Sequence, residues 1–237
     1  MNLQLHKPLV ILTGAGISAE SGIRTFRASD GLWEDHRIED VASPEGFARN
    51  PQLVHEFYNQ RRRQLLESAI QPNAAHLALA KLEAEWEGEF LLVTQNVDNL
   101  HERAGSKNLL HMHGSLLKAF CQSCDERTEW PRDLSAQDAC PHCKIKGHMR
   151  VDVVWFGEMP YHMERIADAL EKCELFISIG TSGVVYPAAG FAREARNSKR
   201  IEVNLADTEI SRAFHEHRLG PAGIEVPKLV DSLLNQK

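Results

Sequence analysis

A chain of 237 residues is long enough for one large domain, or for a domain that carries a smaller lobe. With 43% hydrophobic and 25% charged residues it has the mix of an ordinary folded protein, which excludes a disordered or fibrous chain. The 33 acidic residues outnumber the 27 basic ones, and the net charge of −6 argues against a main role in gripping nucleic acid or an anionic membrane.

No apolar run approaches the roughly 18 residues that cross a bilayer. The stretch 8–12 is too short for a signal-peptide core, so the expectation is a cytoplasmic protein with no membrane partner. Five cysteines suit a disulfide framework poorly there, and four of them form two Cys-x-x-Cys pairs, which points to a metal.

In chain order, β-rich runs occur at 8–13 (PLVILT), 90–95 (FLLVTQ), 109–113 (LLHMH), 175–180 (LFISIG) and 200–205 (RIEVNL). Their near-continuous Val, Ile and Leu predict strands covered on both faces, as in a parallel sheet. Stretches with helical period lie between them, among them 76–85 and 163–172. This alternation predicts an α/β fold with a doubly wound, Rossmann-like parallel sheet. Residues 28–70, without a clear strand, and 116–150, rich in Cys, charge and turn formers, break the pattern. The expected organisation is therefore a main domain from 1–27, 71–115 and 151–237, a helical insertion at 28–70 and a zinc-ribbon module at 116–150. The cleft between the lobes is the expected site.

Small or polar residues follow every predicted strand: Gly14-Ala15-Gly16, Asn96-Val97-Asp98, His113-Gly114, Gly180-Thr181-Ser182 and Asn204. In open α/β sheets the carboxyl edge is where ligands bind. Gly14-Ala15-Gly16-Ile17-Ser18-Ala19 is a G-x-G-x-x-A turn after a strand, suited to close approach of a diphosphate at a helix start. An ordinary dinucleotide fold also places an acidic residue at the end of its second strand, about twenty residues on. Leu32-Trp33-Glu34-Asp35 does not look like such a strand end, which demotes hydride-transfer dehydrogenases.

Cys121-x2-Cys124 and Cys140-x2-Cys143 have zinc-ribbon spacing. Four thiolates fill a tetrahedral shell and leave no position for water, so one structural zinc is expected, with no ligand role for His142. Cys173 is expected to be a buried thiol. His111 and His113 alternate on the predicted strand and share a face. His113, followed by Gly114 at the strand end, is placed to accept a proton. On the predicted helix 52–66 the apolar stripe Leu53, Val54, Phe57, Leu65 puts Tyr58 and Arg61 on the inward face, with Arg62 and Arg63 read as solvated charges. An inward guanidinium needs an anion or several acceptors, and the helix neighbours of Arg61 offer no acid.

Taken together, the chain resembles the sirtuins, NAD-dependent protein-lysine deacylases, over roughly residues 8–230. The resemblance rests on GAGISAESG at 14–22, Phe26-Arg27, TQNVDNLH at 94–101, HMHG at 111–114, the two Cys pairs, VVWFGE at 153–158, GTS at 180–182 and Asn204. Tyr-x-x-Arg at Tyr58 and Arg61 is similar to the bacterial members that share an acidic-acyl preference with one mitochondrial branch. One departure is Arg24-Thr25 where many sirtuins have Pro-Asp before Phe-Arg. Thr at the second position also occurs in the acidic-acyl branch and reads as a subgroup mark.

The resemblance implies that NAD is bound by Gly14, Ala15, Gly16, Ser18, Ala19, Glu20, Phe26, Arg27 and Trp33. Gln95, Asn96, Val97 and Asp98 would line its nicotinamide side, and Gly180, Thr181, Ser182, Asn204, Leu205, Ala206 and Ala222 its adenosine half. It implies His113 and Asn96 as catalytic residues. An acyl-lysine peptide would add as a strand beside Val154, Phe156, Gly157 and Glu158. The family chemistry, attack of the acyl oxygen on the ribose C1′ as nicotinamide leaves, then makes His113 the general base on a ribose hydroxyl. The products are free lysine, nicotinamide and O-acyl-ADP-ribose. Tyr58 and Arg61 would pair with the carboxylate of a succinyl or malonyl group. The expected partners are acylated lysine side chains of proteins, with no stable nucleic-acid complex, and the expected state is a monomer. Mono-ADP-ribosyl transfer at the same site, or a zinc-ribbon module that only binds a nucleotide, are the competing readings.

Overall fold

The computed structural model describes residues 6–24, the backbone of residues 32–33, and residues 36–235. The first strand, β1 (Leu9–Thr13), is buried along its whole length and passes at Gly14 into a short 3-10 helix (Ala15–Ser21). The paired dipeptides β2 (Leu32–Trp33) and β3 (His36–Arg37) lead into α1 (Ile38–Val41), α2 (Pro44–Arg49) and α3 (Pro51–Leu65). Local chemistry sets these starts: Ser43 and Asn50 cap α2 and α3 by accepting from the Gly46 and Leu53 N–H groups, and a proline opens each helix. Next come α4 (Ala74–Glu85), β4 (Phe90–Thr94), α5 (Leu100–Ala104) and β5 (Leu109–His111). A small antiparallel sheet follows, from β6 (Gly114–Cys121), β7 (Arg127–Glu129) and β8 (Met149–Val153) in the order β7-β6-β8. The chain then returns through α6 (Met163–Lys172), β9 (Leu175–Ile179), α7 (Phe191–Glu194), β10 (Lys199–Asn204), β11 (Glu216–Leu219) and α8 (Ala222–Leu234).

The large sheet has the order β11-β10-β9-β1-β4-β5 with every pair parallel. From β1 the chain winds outward through β4 and β5, then crosses back to β9 and winds the other way. The order therefore reverses between β1 and β9, whose last residues Thr13 and Ile179 are paired. A crevice opens at such a switch point, beyond the carboxyl ends of the strands. Alternate strand residues feed two cores. Leu9, Ile11, Leu92 and Ile177 pack with Leu79 and Leu82 of α4 and Val226 and Leu229 of α8. Val10, Leu12, Val93 and Phe176 pack with Ile166 and Leu170 of α6 and Phe191 of α7. At about 1.5–3 kcal/mol per buried side chain of this size, these two layers dominate the stability. A third core joins α3 to the small sheet through Val54, Phe57, Tyr58 and Leu65 against Leu116, Val151, Val153 and Trp155.

The doubly wound sheet agrees with the sequence pattern, with three local differences. β11 (EHRL) escaped prediction because an edge strand with half-exposed faces carries no apolar run. β5 stops at His111, so Met112 and His113 form the turn into β6 rather than a strand, and the two histidines do not share a strand face. Two short strands also lie within the stretch that carries no strand signal.

Candidate active site and metal centre

At the switch point the Gly14–Gly16 turn lies directly on the end of β9. The Gly14 N–H donates to Ile179 O (3.0 Å) and the Gly16 N–H to Gly180 O (2.9 Å). A Cβ on Gly16 would stand 2.7 Å from Gly180 Cα, and one on Gly180, which has φ +63°, would stand 2.5 Å from Ile17 N. A side chain is thus excluded at Gly16 and at Gly180, so the two loops meet there backbone to backbone. Behind it, Asn204 Nδ2 donates to Thr181 O (2.6 Å) and ties the end of β10 to the same loop. Ser182, Leu205 and Ala206 are exposed on this edge, and Ala222 opens α8. Glu20 has a definite structural partner: its carboxylate accepts from the Gly223 N–H (2.8 Å) in the first turn of α8, where a negative charge is favoured. Phe26 and Arg27 lie outside the described residues, as does the side chain of Trp33.

On the β4 side three predicted residues converge. Ser18 Oγ donates to Asp98 Oδ2 (3.0 Å) and accepts from Asn96 Nδ2 (3.0 Å). Burial raises the pKa of Asp98, against the opposing hydrogen bonds from the Leu100 N–H and from Ser18. This buried, hydrogen-bonding and mostly preorganised cluster fits the carboxamide end of a nicotinamide, as the backbone where the two loops meet fits a diphosphate.

His113 Nδ1 lies 3.1 Å from Gln95 O. A carbonyl only accepts, so Nδ1 carries the proton and Nε2 keeps its lone pair. Burial pushes the His113 pKa down, with the Gln95 carbonyl opposing, so the ring is a neutral base at pH 7. His111 differs. Its Nδ1 reaches Asn96 O (3.0 Å) and its Nε2 reaches Glu102 Oε1 (2.7 Å). Burial would lower its pKa, but the Glu102 carboxylate and the Asn96 carbonyl raise it.

The residues expected on the substrate side connect to His113 through two hydrogen bonds. Val154 N–H donates to His113 O (2.9 Å), and the next residue, Trp155, donates from Nε1 to Tyr58 Oη (2.9 Å). Glu158 accepts from Arg150 (2.8 Å) and from the Trp155 N–H (2.8 Å), which folds 155–158 into a tight turn. Gly157 has φ +90° with nothing within 4 Å of an added Cβ, and Phe156 is half-exposed beside it. Tyr58 is buried, and burial raises its phenol pKa, which keeps it neutral. Arg61 is partly buried, lies 3.8 Å over the Phe57 ring, and donates to Phe57 O (3.0 Å) and Gln60 Oε1 (3.1 Å).

The reading of Arg62 as a solvated charge is wrong. Arg62 is 1% exposed and donates to Leu116 O (2.8 Å) and Asn59 Oδ1 (2.7 Å). Asn59 in turn exchanges both amide hydrogen bonds with Leu134. Stepping four from Tyr58 and back three from Leu65 both reach 62, so the wheel places Arg62 on the apolar stripe. Arg63 is exposed as expected. Burial lowers the Arg62 pKa to about 10, with Asp133 opposing.

The four predicted cysteines form one cluster, with all sulfurs within 4.8 Å of one another. Cys121 and Cys143 sulfurs are 3.7 Å apart, as are Cys124 and Cys140. Four thiolates at about 2.3 Å from one zinc stand about 3.8 Å apart, close to the two 3.7 Å separations, so the cluster fits such an ion. The His142 N–H also donates to the Cys140 sulfur (3.4 Å), a contact that favours a thiolate there. Cys173 is buried and apart from this cluster.

Residues 14–187 match the family model described as the Sir2 family, and the chain belongs to that family. A protein named NAD-dependent protein deacylase from Bdellovibrio bacteriovorus is 67% identical over 99% of this chain and all of its own length. One of the same name from Escherichia coli is 56% identical over 97% of this chain and 85% of its own. Among solved structures, a Sir2 homolog–NAD complex superposes with a TM-score of 0.86 at 40% identity, covering 96% of this chain and 89% of that one. Sir2Af2 bound to a myristoylated histone peptide gives 0.74 at 32% identity, covering 96% and 91%.

The residues that sequence reasoning missed sit behind the site. Thr13, Thr94 and His101 are fully or almost fully buried and hydrogen-bonded under the Gln95–Asn96 backbone. The signal was present: both threonines close their strands next to predicted site residues, and His101 ends the TQNVDNLH run.

Proposed function

We propose that this Sir2-family chain is an NAD-dependent protein-lysine deacylase that removes acetyl groups and, through Tyr58 and Arg61, succinyl and malonyl groups. One observation carries the reading: a neutral imidazole with a bare Nε2, His113, is oriented by the same backbone segment that bears Asn96, next to the Ser18–Asn96–Asp98 cluster at the switch point. The name of the Bdellovibrio relative and the peptide bound to Sir2Af2 support the same substrate class.

NAD supplies an electrophilic ribose carbon once its nicotinamide departs. The chain's own part is to bind, orient and move one proton. The backbone at Gly14, Ala15, Gly16, Gly180, Thr181 and Ser182 would hold the diphosphate and adenosine half, with Asn204, Leu205, Ala206 and Ala222 at its far end. Asp98 and Asn96 would grip the carboxamide. Phe26, Arg27 and Trp33 belong to the same proposal. His113 Nε2 takes the proton from a ribose hydroxyl while Nδ1–H stays on Gln95 O, so the imidazolium is stabilised as it forms. The segment around Val154–Glu158 would receive the peptide as an added strand, and main-chain recognition tolerates varied sequence. A zinc ion on the four-cysteine cluster would have no chemical role in this scheme; it would tie Cys121 at the end of β6 to the loop segments that carry Cys124, Cys140 and Cys143. We also read the chain as a monomer acting in the cytoplasm on acylated proteins, without a nucleic-acid partner.

Two variants test the proposal. His113→Ala should abolish formation of deacylated peptide and O-acyl-ADP-ribose while leaving the circular dichroism spectrum unchanged, and retained formation of these products would remove His113 from its role. Arg61→Met should lower desuccinylation relative to deacetylation about ten- to a hundredfold, the value of one charge-assisted hydrogen bond of roughly 1.5–3 kcal/mol. Unchanged selectivity would return Arg61 to a purely structural part.

A further inference from the structure

A chain of buried hydrogen bonds runs beneath the Gln95–Asn96 segment, and its proton directions can be assigned. The Asn96 N–H donates to Thr94 Oγ1 (3.0 Å), and Thr13 Oγ1 donates to the same oxygen (2.9 Å). Thr13 has then used its only hydrogen, so its contact with His101 Nε2 (3.0 Å) requires His101 to be the donor. His101 thus carries its proton on Nε2 and a bare Nδ1. Beyond it, His76 Nδ1 lies 3.3 Å from the Asn73 backbone nitrogen and 3.1 Å from Asn73 Oδ1 at the start of α4. The two rings lie edge to face with centroids 4.9 Å apart. Among the described residues, His76 Nε2 and His101 Nδ1 are both buried without a partner. Thr13 holds the segment a second time, since its carbonyl accepts from the Gln95 N–H (2.9 Å).

This array ends on the two peptide units that orient the site histidines, because Gln95 O receives His113 Nδ1 and Asn96 O receives His111 Nδ1. We propose that His101, acting through Thr13 and Thr94, is a positioning residue for the deacylation reaction: this directed hydrogen-bond chain fixes the Gln95–Asn96 backbone and thereby aims His113. The bland alternative is a satisfied polar core with no bearing on rate. The relay rests on the reading of His113 as the base, so its test includes a measurement that does not need turnover.

Thr94→Val is close in shape but removes the acceptor for the Asn96 N–H, whereas Thr94→Ser keeps it. We expect Thr94→Val to lower kcat for acyl-peptide-dependent nicotinamide release about ten- to a hundredfold, the scale of a small misplacement in a reacting geometry. The KM for peptide should stay within about twofold, and Thr94→Ser should restore most of the rate. His101→Gln, which still offers an amide N–H, should be faster than His101→Leu. Independently, 15N spectra of the His113 ring should show the Nδ1–H resonance, strongly hydrogen-bonded in the wild type, weakened in Thr94→Val. A Thr94→Val enzyme with wild-type kcat and an unchanged His113 spectrum would overturn the relay, as would a Thr94→Ser enzyme as slow as Thr94→Val. If the wild type itself shows no acyl-peptide-dependent turnover, the deacylase reading fails, and the 15N comparison alone still decides whether the relay aims His113.

Discussion

Acid should loosen this protein by a route that His76 makes measurable. The ring is fully buried, and burial lowers its pKa from 6.5 to about 4. In the unfolded chain the same ring takes a proton near 6.5, so the unfolded state binds more protons between those values. Stability from the neutral ring is therefore complete above pH 6.5 and is lost as the pH falls through about 4. The gap corresponds to about 3 kcal/mol, of which about 2 kcal/mol is already gone at pH 5. His101, whose pKa burial also pushes well down, acts in the same sense, and His111, raised by Glu102, acts in the opposite one. Comparing wild type with His76→Gln separates these contributions. Urea unfolding at pH 7.5 and pH 5, with zinc saturating in both, gives the two slopes, and the zinc site cancels in the difference. The wild type should lose about 2 kcal/mol more than His76→Gln over this range, whatever the variant's absolute stability. Parallel losses would show that His76 is solvated or charged in the folded state, and the burial argument would fall.

Adjacent arginines on α3 should behave oppositely. Arg62→Ala leaves Leu116 O and Asn59 without their buried donor and opens a cavity, so thermal unfolding should register a loss of about 3 kcal/mol, whereas Arg63→Ala, exposed, should change stability by less than about 0.5 kcal/mol. Equal effects would contradict the assignment of Arg62 to the interior. Cys140→Ser should lower bound zinc, measured by atomic absorption, from one per chain to nearly none and destabilise the small sheet by several kcal/mol. Full zinc occupancy would show that the cluster is not the metal site. Burial lowers the pKa of His113, and with its neutral form as the proposed base the acid limb of kcat/KM should have its midpoint below 6.5. A midpoint above 7 would assign the limb to another group.

Much of this molecule was legible in the sequence because its signals are local or periodic. The apolar runs at β1, β4, β9 and β10 are buried on both faces, so composition alone marks them. The cysteine spacing fixes four sulfurs that the fold then brings together. What was not legible depends on packing. Arg62 looks like its exposed neighbour Arg63 until the helix wheel is carried past Tyr58, and its acceptors, Leu116 O and Asn59, include a carbonyl 54 residues away in sequence. His101 and Thr13 are 88 residues apart, and nothing in either segment announces the other. β11 was hidden by polarity, since an edge strand need not be apolar.

The deacylase assignment turns on one stoichiometry. NAD and matched acetyl- and succinyl-lysine peptides, incubated with the wild-type protein and followed by mass spectrometry, should yield nicotinamide, deacylated peptide and the corresponding O-acyl-ADP-ribose in equal amounts, with no nicotinamide formed when the peptide is left out. ADP-ribose attached to protein, free carboxylic acid released without NAD consumption, or nicotinamide released in the absence of an acyl group would contradict it.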